Sequence, residues 1–301
     1  MAGIAAPPGV AIPAEVSVLA HPLLDDVLRL LDVEELEVNI FRGHNPDEDR
    51  QRVFGGQVAA QALMAAARTV PTGRRVHSLH SYFLRPGDMK VPILYIVDRI
   101  RDGKSFTTRR VVAVQHGEAI FNLQASFQVD EPGLEHSLEM PDAPDPETLP
   151  TMAERLAGFG RKLPRQAIEP RAIDMRWCDP PGWKPHKGAE ARSMIWMRAD
   201  GEVPEDPLLH TCVLVYASDY TLTETVMRPH GVHWSDRGVM AASLDHAMWF
   251  HRDIKVDDWW LYVEDSPAAE SARGLARGLI FDRSGQLCCS VVQEILLRTP
   301  L

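Results

Sequence analysis

The 301-residue chain has no long hydrophobic run; no apolar stretch approaches the roughly 18 residues that a bilayer-spanning helix needs. Its opening, MAGIAAPPGVAIPAEV, lacks a basic start and a continuous apolar segment, so it reads as a loose tail and not as a signal peptide. Cysteine is scarce. The four thiols (Cys178, Cys212, Cys288 and Cys289) show no C-x-x-C spacing, and the adjacent pair would face opposite sides of a strand. This excludes a disulfide framework and a cysteine zinc site, and predicts reduced, mostly buried thiols in a cytoplasmic chain. Positive charge is also short. With 32 Lys and Arg against 42 Asp and Glu, the formal net charge is -10, which argues against nucleic-acid or anionic-membrane partners.

Several motifs are missing too. There is no G-x-S-x-G nucleophile elbow, no Walker loop and no dinucleotide fingerprint; GGQ and HGE are too short to mean nucleotide binding. His246 and His251 lie five apart with no further ligand pattern, so neither a metal nor a cofactor is expected. The basic runs Arg74-Arg75, Arg99/Arg101/Lys104, Arg109-Arg110 and Arg161-Lys162 could meet a polyanionic ligand locally, but such runs are usually solvated faces.

What is present is ordinary globular material, 45% hydrophobic and 25% charged. It falls into two halves of the same order. The segment EPGLEHSLEMPDAPDPETLP (Glu131 to Pro150) is rich in proline and acid and reads as a linker. Before it come an Ala-rich helical pattern (Gly55 to Val70), then strand runs, the last two joined by a hairpin signal at Gln115-His116-Gly117-Glu118. After it the order repeats, with a hairpin at Asp282-Arg283-Ser284-Gly285. Placing His80 on His246 puts Phe83 on Trp249, and the repeat is about 165 residues long. An apolar helix followed by enough strand to wrap it is best buried in the sheet's concave face. The expectation is an α+β double hotdog, two antiparallel sheets each around a long helix. Residues 1–16 form a tail, 17–130 the first hotdog, 131–170 the linker, and 171–301 the second hotdog with the active site.

One carboxylate stands out. Leu208, Cys212, Val215, Asp219, Leu222 and Val226 form a 3.6-residue stripe in which only Asp219 is polar. Burying it without partners would cost several kcal/mol or more. Asp219 could instead cap a helix, and Thr221 with Glu224 resembles a capping box. Strand alternation puts Ser243 on one face with Ala241 and Asp245, and Gln293 on an apolar face with Val291 and Ile295. Ser243, Asp245 and His246 invite a triad, but on a single strand His246 would point away from Ser243. The first-half helix carries Gln57 and Gln61, not Asp, at comparable positions, so one site per chain is expected.

The segments VFGGQVAAQAL, VHSLHSYFLRPGD, HTCVLVYASD, SLDHAMWFHR and SARGLARG, in this order, resemble the acyl-CoA thioesterase II family from about Leu23 to Arg298. The resemblance implies fatty acyl-CoA hydrolysis with Asp219, Ser243 and Gln293 holding the attacking water. Ser243 stands where many bacterial members have Thr; the hydroxyl is kept. The terminal RTPL is not a peroxisomal address of the S-K-L type. Gly55-Gly56, opening a helix, suit an oxyanion donor, with the Gly56 N–H as the candidate. A homo-oligomer, dimer or tetramer, is expected of hotdogs. The alternatives are a hydratase or dehydratase, although its D-x-N-P-x-H motif is missing, and a non-catalytic acyl-CoA binding protein.

Overall fold

The computed structural model describes residues 22–47, 51–157, 171–179, 184–234 and 236–300. The expected tail, and 158–170 of the linker with Arg161-Lys162, lie outside the described residues. The first half contains helix α1 (Pro22–Leu31), strands β1 (Glu34–Glu37) and β2 (Ile40–Gly43), helix α2 (Gly55–Ala67), and strands β3 (Arg74–Phe83), β4 (Ile93–Asp102), β5 (Phe106–Gln115) and β6 (Glu118–Val129). A 3-10 turn (Pro146–Thr148) and α3 (Met152–Ala157) follow. The second half has β7 (Ile173–Trp177), β8 (Arg192–Ala199), α4 (Pro207–Ser218), α5 (Leu222–Met227), β9 (Met240–Ser243), β10 (Asp245–Phe250), β11 (Trp260–Glu270), β12 (Arg273–Asp282) and β13 (Leu287–Arg298).

The strand order is β1-β2-β4-β5-β6-β3-β10-β13-β12-β11-β8-β7, with β9 also on β13. Each hotdog sheet mirrors the other's order, and β3 joins β10 edge to edge, so the two merge into one thirteen-stranded antiparallel sheet. Helix α2 is buried along almost its whole length because it is mostly Ala, Gly, Val and Leu, and its two polar side chains, Gln57 and Gln61, are bonded internally. Its small side chains let the sheet close around it. The β5–β6 turn falls at His116-Gly117, both with positive φ, as its hairpin signal predicts.

The register corrects the alignment of the two halves. His80 is exposed on the outer face, where its ring meets Trp249 at 5.0 Å, whereas His246 is buried on the inner face. The neighbouring Leu79 is buried, on the face that His246 takes in its own half. A one-residue slip in a strand exchanges its two faces.

The linker also does more than tether. Met140, Ala143 and Leu149 pack on a second apolar cluster containing Trp196, Trp259 and Leu261. The Trp196 indole N–H donates to Pro144 O at 2.8 Å, and that of Trp259 to Glu147 at 2.8 Å. Several cations of the described basic runs are spent internally: Arg109 on Asp102 and Thr69, Arg110 on Asp98, and Arg74 on the Gly103 carbonyl.

Candidate active site

Asp206 caps the start of α4, accepting from Leu208 N–H at 2.9 Å, and the helix ends at Ser218. The expected continuous helix therefore breaks, with Asp219 as the C-terminal cap residue and α5 beginning three residues on. The break is stabilised from the sheet. The Tyr262 hydroxyl donates to Ser218 O at 3.2 Å, and Thr221 and Thr225 donate to the buried Glu264. Thr221 thus makes no side-chain capping bond, and the capping-box expectation is corrected. Cys212, Val215, Leu222 and Val226 remain buried on either side of the break.

Asp219 keeps limited solvent access, but its carboxylate is surrounded by donors. Ser243 Oγ donates to Oδ1 at 3.3 Å, and the Gln293 amide and the Gly56 N–H are further donors. Gln293 Nε2 also donates to Ser243 Oγ at 3.0 Å. Burial pushes the Asp219 carboxyl up to about 6, and these hydrogen bonds hold it from rising further. The three residues singled out in the sequence therefore converge.

Ser243 and Gln293 reach this point by different routes. Val291, Gln293 and Ile295 share the buried face of β13, as alternation predicts. Ser243 does not follow alternation into Asp245 and His246. The strand is interrupted at Leu244, whose N–H bonds to Glu294 O and whose O accepts from Phe83 N–H. That interruption lets Ser243 and His246 both reach Gln293. The expectation that His246 and Ser243 face opposite sides of one strand is corrected by this break.

No Ser-His-Asp triad results. His246 Nδ1 lies 2.5 Å from Gln293 Oε1, and Nε2 lies 2.9 Å from Ser218 Oγ, so both ring nitrogens are engaged away from Ser243. Asp245 accepts from the Glu294 N–H at 2.6 Å. Among the described residues no cluster of three His, Cys, Asp or Glu could hold a metal.

The Gly56 N–H, the candidate oxyanion donor, also stands as a donor to Asp219. Helix α2 offers its positive end to Asp219, which favours the ionised carboxylate. Aromatic rings flank this junction: Phe54 stacks on Tyr220 at 4.9 Å and meets Tyr216 edge-on at 5.2 Å. Sequence reading overlooked these rings and the contact between His246 and Gln293. The closely spaced YASDY segment was the available signal for the tyrosines.

Among the described residues the first hotdog holds no counterpart of this cluster. At its equivalent helix end, the C-terminal cap of α2 is Arg68, bonded to Asp32 and Val33 O. Where Gln293 pairs with Ala276, the first half pairs Ala125 with Arg109. Leu79 lies across from Ala125, and the fully buried Arg109 fills the interior toward Thr69. Gln57 and Gln61 bond the backbone of His44 and Leu30.

Known proteins match this architecture. The family described as acyl-CoA thioesterase matches residues 169–296, and the acyl-CoA thioesterase N-terminal domain matches residues 45–128. The chain is 41% identical over 285 residues to mouse acyl-coenzyme A thioesterase 8, covering 90% of this chain and 88% of that one. It is 37% identical over 284 residues to acyl-CoA thioesterase 2 of Haemophilus influenzae, covering 92% and 98%. The crystal structure of an acyl-CoA thioesterase II from Mycobacterium marinum superposes with a TM-score of 0.77 at 43% identity, covering 91% of this chain and 98% of that one. A double hotdog with this sequence similarity across both halves leaves no doubt of kinship: the chain belongs to the acyl-CoA thioesterase II family of thioester hydrolases.

Proposed function

We propose that the chain hydrolyses fatty acyl-CoA to free fatty acid and CoA by direct attack of a water held by Asp219, Ser243 and Gln293. One observation carries this reading. A carboxylate desolvated to a pKa of about 6 sits on a hydroxyl and an amide whose donors favour its charged form. Asp219 takes a proton from the water as its oxygen bonds to the thioester carbon. The resulting tetrahedral species collapses by breaking the C–S bond, and the thiolate leaves. A thiol with a pKa near 8.5 departs without a strong general acid, so none is required. The proton on Asp219 returns to the thiolate or to solvent.

Thiol release from acyl-CoAs of graded length tests the activity. Ser243→Ala and Gln293→Ala should each lower kcat by roughly 100-fold, since each removes one group orienting water and base. Unchanged rates in both would move the site elsewhere. The pH profile should follow the base. With Asp219 titrating at about 6, kcat/KM is expected to plateau above that value. Below it, the rate should fall about tenfold per pH unit as the carboxylate is protonated. A profile flat down to about pH 4 would show that some other group activates the water.

The proposal includes a cytoplasmic setting, supported by four free cysteines of which three are buried. No helix among the described residues is long and apolar enough to cross a membrane. It also includes a homo-oligomer, supported by the exposed Leu94 and Ile96 on the outer face of β4. Sedimentation velocity tests this; a monomer at all concentrations would overturn it.

A further inference from the structure

We infer that His246, though it touches neither base nor attacking water, is the positioning residue that fixes which end of the Gln293 amide faces the site. The inference rests on the water-activation reading above and deepens it.

The problem begins with the amide itself. Its oxygen and nitrogen ends are nearly the same shape, so sterics alone do not choose between two orientations. In one, Nε2 faces Ser243 Oγ and Asp219, donating to both. In the other, a carbonyl oxygen would face a carboxylate, and the base would lose a donor and gain a lone pair. Only the first orientation supports an ionised Asp219.

His246 supplies the partner that holds the first orientation. Its Nδ1 lies 2.5 Å from Gln293 Oε1, a separation that requires a proton between them. Burial keeps the imidazole neutral, pushing its pKa down to about 4, so it carries one N–H. With that N–H at Nδ1, the bare Nε2 faces the Ser218 hydroxyl at 2.9 Å, whose one proton is shared with Val215 O, also 2.9 Å away. Ser218 lies at the last position of α4, and the Ser81 hydroxyl bonds the His246 carbonyl at 2.8 Å. The ring is therefore clamped between helix and sheet.

The bonds then run one way. His246 donates to Gln293, Gln293 to Ser243, and Ser243 to Asp219. Every donor points along the chain toward the carboxylate. Reversing the amide would set Oε1 against Ser243 and require the imidazole proton to move to Nε2. The first hotdog shows what is left without the device: Leu79 lies opposite Ala125, with no amide to orient.

The test is a set of steady-state measurements on folded variants of the full chain, with thermal melting as the check on folding. His246→Leu leaves Oε1 without its donor, and kcat should drop by roughly tenfold or more with KM little changed. His246→Asn can put an amide N–H where the imidazole Nδ1–H was, and should recover most of that loss. In a Gln293→Ala background, His246→Leu should cost nothing further, because a residue acting only through Gln293 has nothing left to orient. Multiplying effects in the double variant, or equal losses in His246→Leu and His246→Asn, would overturn the positioning role. A full Gln293→Ala defect beside an unaffected His246→Leu would overturn it alone. An unaffected Gln293→Ala would remove the water-activation reading as well.

Discussion

Asp219→Asn should abolish thioester turnover, by 1,000-fold or more (~10³), while leaving the fold at least as stable as the wild type. The kinetic half follows from chemistry: Asn is close in shape but cannot take the water's proton. The stability half follows from linkage. The Asp219 carboxyl rises from 3.8 to about 6 on folding, chiefly through burial. A raised pKa means that the folded state favours the protonated form. That contribution is fully present below the unfolded value and is lost as pH rises through the folded one. At neutral pH the ionised carboxylate therefore costs the fold up to ~3 kcal/mol, at about 1.4 kcal/mol per pH unit. Asn stays neutral and avoids this cost. Part of the gain is offset because its N–H₂ would face donors at Gly56 or Gln293. The variant's Tm should exceed the wild type's at about pH 8, with the gap roughly halved at about pH 5 and closing only below about pH 4. A variant that is inactive and clearly less stable at both values would make Asp219 a structural cap. One that stays active would remove it as the base.

Much of this was legible because chemistry and periodicity agreed. Asp219 stood out as a carboxylate among buried apolar positions, and Val291, Gln293 and Ile295 alternate cleanly onto the inner face. Gly117 and Gly285 marked their hairpins through the positive φ that glycine adopts freely. Other features left no local signal. The interruption at Leu244 falls in AASLDHAMWF, which reads as unbroken strand, because the break is made by bonds to Glu294 and Phe83 on other strands. The β11–β12 turn uses Ser271 and Ala272, both at positive φ without glycine or asparagine, so the usual turn residues are absent. The linker looked too polar to pack, yet its few apolar side chains meet tryptophans far along the chain. In each case long-range partners decided the structure.

The pseudo-symmetric architecture also explains why this polar cluster stands in one half. Both hotdogs provide a helix end facing the inner sheet, but polar groups at that end are tolerable only when they satisfy one another. In the second half Asp219, Ser243, Gln293 and His246 do so as a set. In the first half Leu79 and Ala125 remove the need, and Arg109 is satisfied by Thr69 and Asp102 instead. Intermediate combinations would leave a buried polar group unpaired, so the site is held or lost as a unit.

Gly56→Ala should lower both stability and turnover, against what helix propensity alone predicts. Gly56 lies inside α2, where alanine is favoured by about 1 kcal/mol. The close approach of the two helices outweighs that gain. A Cβ at Gly56 would lie 2.3 Å from Tyr216 O, a backbone atom in the last turn of α4, and 2.6 Å from the Phe54 ring. The ring can turn aside. The carbonyl can yield only if the α2 terminus and the α4 terminus separate, which is overpacking worth about 1–3 kcal/mol. That separation draws the Gly56 N–H away from Asp219, and a displacement of about 1 Å in a catalytic group can cost roughly 100-fold in rate. Gly55→Ala is the contrasting case. Its Cβ would meet the Asp219 carboxylate at 2.7 Å and the Phe83 ring at 2.8 Å, both side-chain atoms. It should therefore lose activity with a smaller drop in Tm. If Gly56→Ala melts higher than the wild type, the helix ends are not in contact at this point, and the positioning of the base must come from the sheet alone.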